Sequence, residues 1–259
     1  MKKIIAFLAS VCSLLCISNF TSCSEKVSKV GNPTTVGDIS YDNDSSFGYR
    51  VYVLEETGYV PFLVLTNDYY GNCLLLRENL LDDLQEYNTP GEYGSYYQNS
   101  KIDEYLNDTY FSLISDEVKN QIVDTSIEIT TKNAIDTRNK EVETISRKIF
   151  LLSANEVKAG LGYVALNEGI ELKYFTNTKN RIARHENGEA DTWMLRTPAR
   201  NGSNNLIGVA YDGSVGIGGI NSPDGVNTCS VRPAFCVSAD TKIMQRKDVV
   251  EGQSVFCFQ

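Results

Sequence analysis

The fold class predicted by this sequence is α+β: a single domain, mostly antiparallel sheet, with two to three short helices. Three observations lead there. Three strand-like runs follow one another between residues 49 and 76. Two serine-capped helical stretches come next, at Ser100 and Ser115. The second half then returns to short apolar or alternating runs. No internal repeat and no linker-like stretch divides residues 48–259, so they read as one domain.

Taken in order, the chain opens with Lys2 and Lys3, then an uncharged apolar run from Ile4 to Leu15, then Phe20-Thr21-Ser22-Cys23. That run is too short to cross about 30 Å of hydrocarbon, so residues 1–22 read as an export signal rather than a spanning helix. Cys23 after small residues resembles the lipobox of bacterial lipoproteins. The resemblance implies cleavage before Cys23, acylation of its thiol and attachment to the cell envelope through lipid alone; plain secretion is the alternative. One acyl chain binds a membrane marginally, whereas two or three hold it firmly. Residues 23–47 are polar and read as a lipid-anchored tether. Within them, Asp42–Gly48 falls short of a calcium loop: Phe47 stands where the turn needs glycine, and no Glu follows at the twelfth position.

Tyr49–Glu55 alternates, Val60–Thr66 is nearly all apolar as a buried strand would be, and Cys73–Leu76 is a third run. Gly58 and residues 67–72 supply the turns of this antiparallel meander. A polar aromatic stretch, Tyr87–Asn99, leads to Ser100, which can cap a helix with Ile102, Tyr105 and Leu106 on one face. Ser115 caps a second, with Asp116 and Glu117 in the first turn and Val118 and Ile122 on the buried side. Ser126–Thr131 alternates as a strand, residues 132–141 form a charged loop, and Lys148–Leu152 is another strand. Ser153-Ala-Asn-Glu156 is a capping box opening a short helix that stops at Gly160. Residues 167–190 read as irregular, and Thr192–Thr197 as a strand closed by Pro198. Leu206–Ile217 forms a hairpin around Asp212-Gly213, a type I′ turn. Cys229–Val237 is a strand placed at an edge or bulge by Pro233, and Ser254–Phe258 is the last.

The formal charge is −9, and removing Lys2 and Lys3 leaves −11 on a mature chain of about 237 residues. An acidic surface without a basic stripe excludes nucleic acid, because phosphate binding needs clustered Lys and Arg. It also argues against anionic lipid as a partner for the body of the domain. Cys73, Cys229, Cys236 and Cys257 remain after the signal and Cys23, an even number in an exported chain, so disulfides are allowed without any pairing being preferred. Zinc is not expected: there is no C-x-x-C, and the single histidine, His185, is distant from every cysteine in sequence.

Several segments resemble, in order, the bacterial family catalogued as domain of unknown function 6273. They are Tyr97-Gln-Asn-Ser-Lys-Ile-Asp-Glu-Tyr-Leu-Asn107, Tyr110-Phe111, Lys119-Asn-Gln-Ile122, Lys148-Ile-Phe-Leu-Leu-Ser-Ala-Asn-Glu-Val157, Trp193-Met-Leu-Arg-Thr-Pro198 and Val231-Arg-Pro-Ala-Phe235. The resemblance covers roughly residues 48–240. The last two also resemble the close of C-type-lectin-like domains, the fold of formylglycine-generating enzymes, which implies that fold here. The unknown-function family brings no assigned reaction and no residue of known role.

No catalytic residue, cofactor or metal ligand is singled out. No G-x-S-x-G surrounds a serine, and His185 reads as a solvated loop residue without an orienting partner. Glu86 and Glu92 are the least implausible glycosidase carboxylates, but pairs among 33 acidic residues are uninformative. A Cys229/Cys236 oxidase pair is disfavoured by spacing. Trp193, Arg196 and Arg232 admit two roles: stacking on a sugar or holding a carboxylate, or plugging the core and pairing with buried acids or carbonyls. Their apolar neighbours favour the interior role. The expected activity is non-catalytic binding of a glycan, cell-wall polymer or protein. The contact loops are 87–99, 177–190 and 199–205, and the candidate ligand-binding residues are Trp193, Arg196, Asn201, Asn204 and Asn205. An envelope enzyme acting on carbohydrate, or a structural surface protein, are the alternatives.

Overall fold

Continuous apolar runs suit strands covered on both faces, and Val60–Leu65 and Cys73–Leu76 become the centre of an eight-stranded sheet. The computed structural model describes residues 32–259 apart from 136, 138–139, 161–167, 200–203 and 218–227. Across the sheet the strands run Ile243–Arg246, Val255–Phe258, Arg50–Glu55, Gly58–Tyr69, Asn72–Arg77 and Ala234–Val237. Ile122–Val123 and Ile149–Phe150 share the far edge of Ala234–Val237. Neighbours are antiparallel except Val255–Phe258, which lies parallel to Arg50–Glu55. The predicted meander is therefore present, and its second turn is two residues long. Tyr70 and Gly71 both have positive φ (51° and 86°), as a tight hairpin between right-twisted strands requires.

The expected α+β class is not what forms. Strands account for 38% and helical turns for 17%, with one substantial helix, so the fold is mostly β around a curled mixed sheet. That helix follows its predicted cap: the Ser100 hydroxyl accepts the Asp103 N–H at 3.3 Å. It runs through Lys101–Tyr105, a wider π turn at Leu106–Tyr110, and Phe111–Leu113. Ser115 caps only one turn, Asp116–Lys119. The Ser153/Glu156 box makes both reciprocal bonds (2.8 and 3.1 Å), yet no helix grows from it. Lys158 turns to φ 54°, and the Glu156 carbonyl accepts from Leu172 instead of from a continuing turn.

Other boundaries shift for equally local reasons. Pro233 splits the expected Cys229–Val237 strand: Thr228–Cys229 pairs with Gln85–Glu86, while Ala234–Val237 enters the interior of the main sheet rather than an edge. The Leu206–Ile217 hairpin forms, but only Gly213 has positive φ (84°). The Gly213 N–H bonds the Ala210 carbonyl at 2.9 Å, so the connection is a three-residue turn ending in a left-handed glycine, not type I′. Residues 167–190 include two 3₁₀ turns and a short hairpin, Ala183–Arg184 with Ala190–Asp191.

The packed unit begins at Asn32, ahead of the boundary expected at residue 48. Val36 and Ile39 are fully buried, and the Val36 N–H bonds the Thr241 carbonyl at 2.9 Å. Cys73, Cys229, Cys236 and Cys257 are all free and buried, so the allowed disulfides are not formed among them. Burial pushes the Cys73 and Cys229 thiols up to about 12, and Cys257 to about 11. Among the described residues no helix is long and apolar enough to cross a membrane.

Candidate functional site

The strand Trp193–Pro198 is buried along its whole length, and a buried guanidinium needs an acid or carbonyls to face. Arg196 finds both. Its fork holds Glu156 through two bonds of 2.8 Å, and Nη1 and Nε also donate to the Leu151 carbonyl (2.7 Å) and the Glu128 carbonyl (2.9 Å). Both members of the pair have no exposed side-chain surface. Burial opposes the Arg196 charge, but Glu156 outweighs it and holds the guanidinium firmly protonated. Tyr69 donates its hydroxyl to the same Glu156 carboxylate. Beside it sits Glu168, also fully buried, accepting the Thr130 N–H and hydroxyl (2.6 Å each) and bonded to the Thr197 hydroxyl. Burial raises the Glu168 carboxyl above its usual range, and the nearby Arg196 charge and threonine bonds only partly offset this. Gly169 is held here by space: a Cβ would fall 2.1 Å from the Glu156 Oε1 atom.

Trp193 and Arg232 close the interior from the other side. The Trp193 indole N–H donates to the Arg181 carbonyl at 3.0 Å, and its ring carries the Arg232 guanidinium 5.3 Å away. Arg232 is bonded through Nε to the Arg77 carbonyl at 2.9 Å, and its Nη1 has no partner. Burial lowers its pKa. Thus Trp193 and Arg196, expected among the ligand-binding residues, stand where no surface ligand touches them. Asn201 and Cys23 lie outside the described residues. The Asn204 side chain accepts the Gly91 N–H at 2.7 Å, and the Asn205 carbonyl accepts the Ala199 N–H at 2.6 Å. The loops 87–99 and 199–205 are therefore joined, with Tyr93 (42% exposed) and Tyr96 beside Lys132.

His185, expected to be solvated, is largely enclosed, with 16% of its side chain exposed. Nδ1 faces Asp82 at 3.7 Å, and Nε2 faces Asp191 at 3.4 Å and the Ser230 hydroxyl at 3.5 Å. Ser230 has no exposed surface and donates to Asp191 at 3.0 Å, so it offers no free nucleophile. Burial disfavours the Asp191 carboxylate, but the Thr192 N–H, Ser230 and His185 outweigh this and lower its pKa. The cluster pins the Ala183–Asp191 hairpin against residues 79–82. Of the two glutamates considered for glycoside chemistry, Glu86 pairs with Lys101 and Glu92 is exposed beside Tyr93.

A polar groove of about 410 Å³ opens between the helix face carrying Asp103, Asn107 and Asp108 and the strand end Ser146–Lys148. One wall is fixed by a second fork: Arg147 holds Asp103 through Nε and Nη2, both at 2.7 Å. Asn107, in the π turn, bonds the Ile149 carbonyl at 2.9 Å and accepts the Lys148 and Ile149 N–H groups at 3.2 Å. The extra residue of the π turn thus lets one amide zip helix to strand. Exposed Glu104, Asp108 and Asp124 line the groove, and Lys148 sits over the Phe111 ring at 5.1 Å. A smaller hollow of about 160 Å³ lies at Arg77, Tyr105 and Tyr110, its floor set by the Arg77–Glu55 pair at 3.2 Å. In the sequence Asp103 stands only as a residue of the Ser100-capped helix, and Arg147 carries no signal. The partnership is made across 44 residues and leaves no local signal.

Fold and site together define a mostly β domain with a sealed ionic interior and a polar groove beside its main helix. A family profile described as Domain of unknown function (DUF6273) matches residues 70–239, and the chain belongs to that family. No curated protein and no solved structure matches it. The likeness of the closing segments to C-type-lectin-like domains therefore rests on those residues alone. The matched span leaves out Arg50–Glu55, Gly58–Tyr69, Ile243–Arg246 and Val255–Phe258, which form one side of the main sheet.

Proposed function

We propose that this protein is a non-catalytic cell-envelope lipoprotein, anchored through Cys23, whose domain binds a ligand in the groove beside the main helix. The groove carries this reading. Its volume falls within the range of small-ligand sites, its walls are held by the Arg147–Asp103 fork and Asn107, and its rim keeps polar side chains free of ion pairs among the described residues. Loop 87–99 runs into it at Asn99. The buried state of the thiols and of Ser230 supports binding over covalent chemistry. Support for the anchor is sequence alone: residues 24–31 separate Cys23 from the packed unit, enough chain to present the domain.

The test is binding of the chain from Ser24 onward to an array of envelope glycans, cell-wall polymers and envelope proteins. Saturable binding that is lost on changing Asp108 and Asp124 together is expected. Binding that ignores those changes would move the site elsewhere. The exposed carboxylates Glu104, Asp108 and Asp124 also keep a carbohydrate-cleaving reading in play, and slow loss of an arrayed sugar would favour it. For the anchor, a Cys23→Ala chain is expected to leave the membrane fraction; its retention there would overturn the lipid attachment.

A further inference from the structure

The groove carries both signs of charge, and this selects a ligand class. Glu104, Asp108 and Asp124 make no ion pair among the described residues. Lys148 lines the same groove and also lacks a carboxylate partner among them, its ammonium resting on the Phe111 ring. The remaining charges, Arg147 and Asp103, satisfy each other in the wall. A cationic ligand settling against the carboxylates meets Lys148, and an anionic ligand settling on Lys148 meets the carboxylates. Either contact costs like-charge repulsion and desolvation. A neutral ligand rich in hydroxyls meets neither cost. Its hydroxyls donate to carboxylates that only accept, and accept from an ammonium that only donates.

Asn99 adds an amide with both capacities at one end of the groove, and Ser146 a hydroxyl at the strand end. Asn99 is held in a left-handed conformation (φ 58°) by its N–H bond to Asp103 at 2.9 Å, so its position is set before any ligand arrives. Phe111 adds an apolar side chain to the groove lining. We infer that the groove at Asn99, Asp108, Asp124 and Lys148 binds neutral saccharide units. This rests on the groove being the binding face, as proposed above.

The probe set is cellotetraose and chitotetraose as neutral saccharides, a uronate tetramer as the anion and trilysine as the cation, each titrated into the ¹⁵N-labelled chain from Ser24 onward. Neutral saccharides are expected to shift the backbone amides of Asn99, Asp108, Asp124 and Lys148. Their affinity should change less than twofold between low and physiological salt, because no net charge is screened. Asp124→Asn and Lys148→Ala should each weaken binding at least tenfold, with the thermal midpoint unmoved. Groove shifts seen only with trilysine or only with the uronate, falling with salt, would overturn the saccharide class and leave the groove as a binding face. No shift at the groove with any probe would overturn both.

Discussion

Arg196 and Arg147 each grip a carboxylate with two guanidinium nitrogens, at 2.8 Å in one case and 2.7 Å in the other. Arg196 and Glu156 have no exposed side-chain surface, and Tyr69, Ser153, Leu151 and Glu128 add further bonds around the pair. Arg147 keeps 18% of its side chain exposed, and its pair forms the wall of an open groove. The chemistry is the same in both regions, and solvent access separates their roles. Without water a fork must be completed by protein, which makes it a structural fixture. With water on one side, it becomes a rigid wall that other groups can use.

Removing the sealed fork should produce the largest effect. Arg196→Met leaves Glu156 charged and unpaired in the interior, for a loss of about 3–5 kcal/mol by urea denaturation. Arg147→Met leaves Asp103 with its Asn99 and Asn107 bonds and some water, for a loss of about 1–3 kcal/mol. Equal losses would erase the distinction between the two regions. Next comes Gly169→Ala, which places a methyl against Glu156 at a positive φ of 75°. The backbone strain alone is about 1–2 kcal/mol, and the displaced carboxylate adds to it. A thermal midpoint within a degree of the parent's would show that the Glu156 cradle yields.

Glu168 sharpens the comparison through pH. Its folded pKa stands above the ordinary 4.5, so proton binding favours the folded state. That contribution is fully present below the unfolded value and is lost as pH rises toward the folded one. Glu168→Gln keeps the acceptor oxygen for Thr130 and removes the ionisable group beside the Thr197 hydroxyl. Relative to this variant, the parent's melting temperature should therefore fall as pH is raised from about 4 to about 8. A difference that is flat or rises with pH would mean that Glu168 is held ionised. The smallest effect is expected at the groove rim, where Asp124→Asn should change stability by less than about 0.5 kcal/mol, because the side chain is exposed and makes no ion pair among the described residues.

Legibility in the sequence followed the range of each interaction. The Ser100 and Ser115 caps, the Tyr49–Leu76 meander and the Ser153/Glu156 box were readable because their partners lie within a few residues. The box formed without its helix: Lys158 turns to positive φ, and the Glu156 carboxylate is held by Arg196, forty residues away. Likewise Pro233 pointed to an edge or bulge, whereas it splits the strand and the residues after it enter the middle of the main sheet. At the candidate site, Asn99 was visible only as a loop end and Asp103 only as a residue of the capped helix. Trp193 and Arg196 drew attention by type, and their burial removed them from any surface role.

By itself the sequence determined the order of strand-forming and helix-capping segments, the acidic balance, the apolar N-terminal run and the family resemblance. Each of these is written in neighbouring residues or in composition. Tertiary structure alone decided that the helical share would stay small, which strand would lie parallel to Arg50–Glu55, and which carboxylates would face Arg196 and Arg147. Those choices depend on groups 40 or more residues apart meeting in a space where water is excluded or admitted. No local pattern records which of those outcomes a side chain will find.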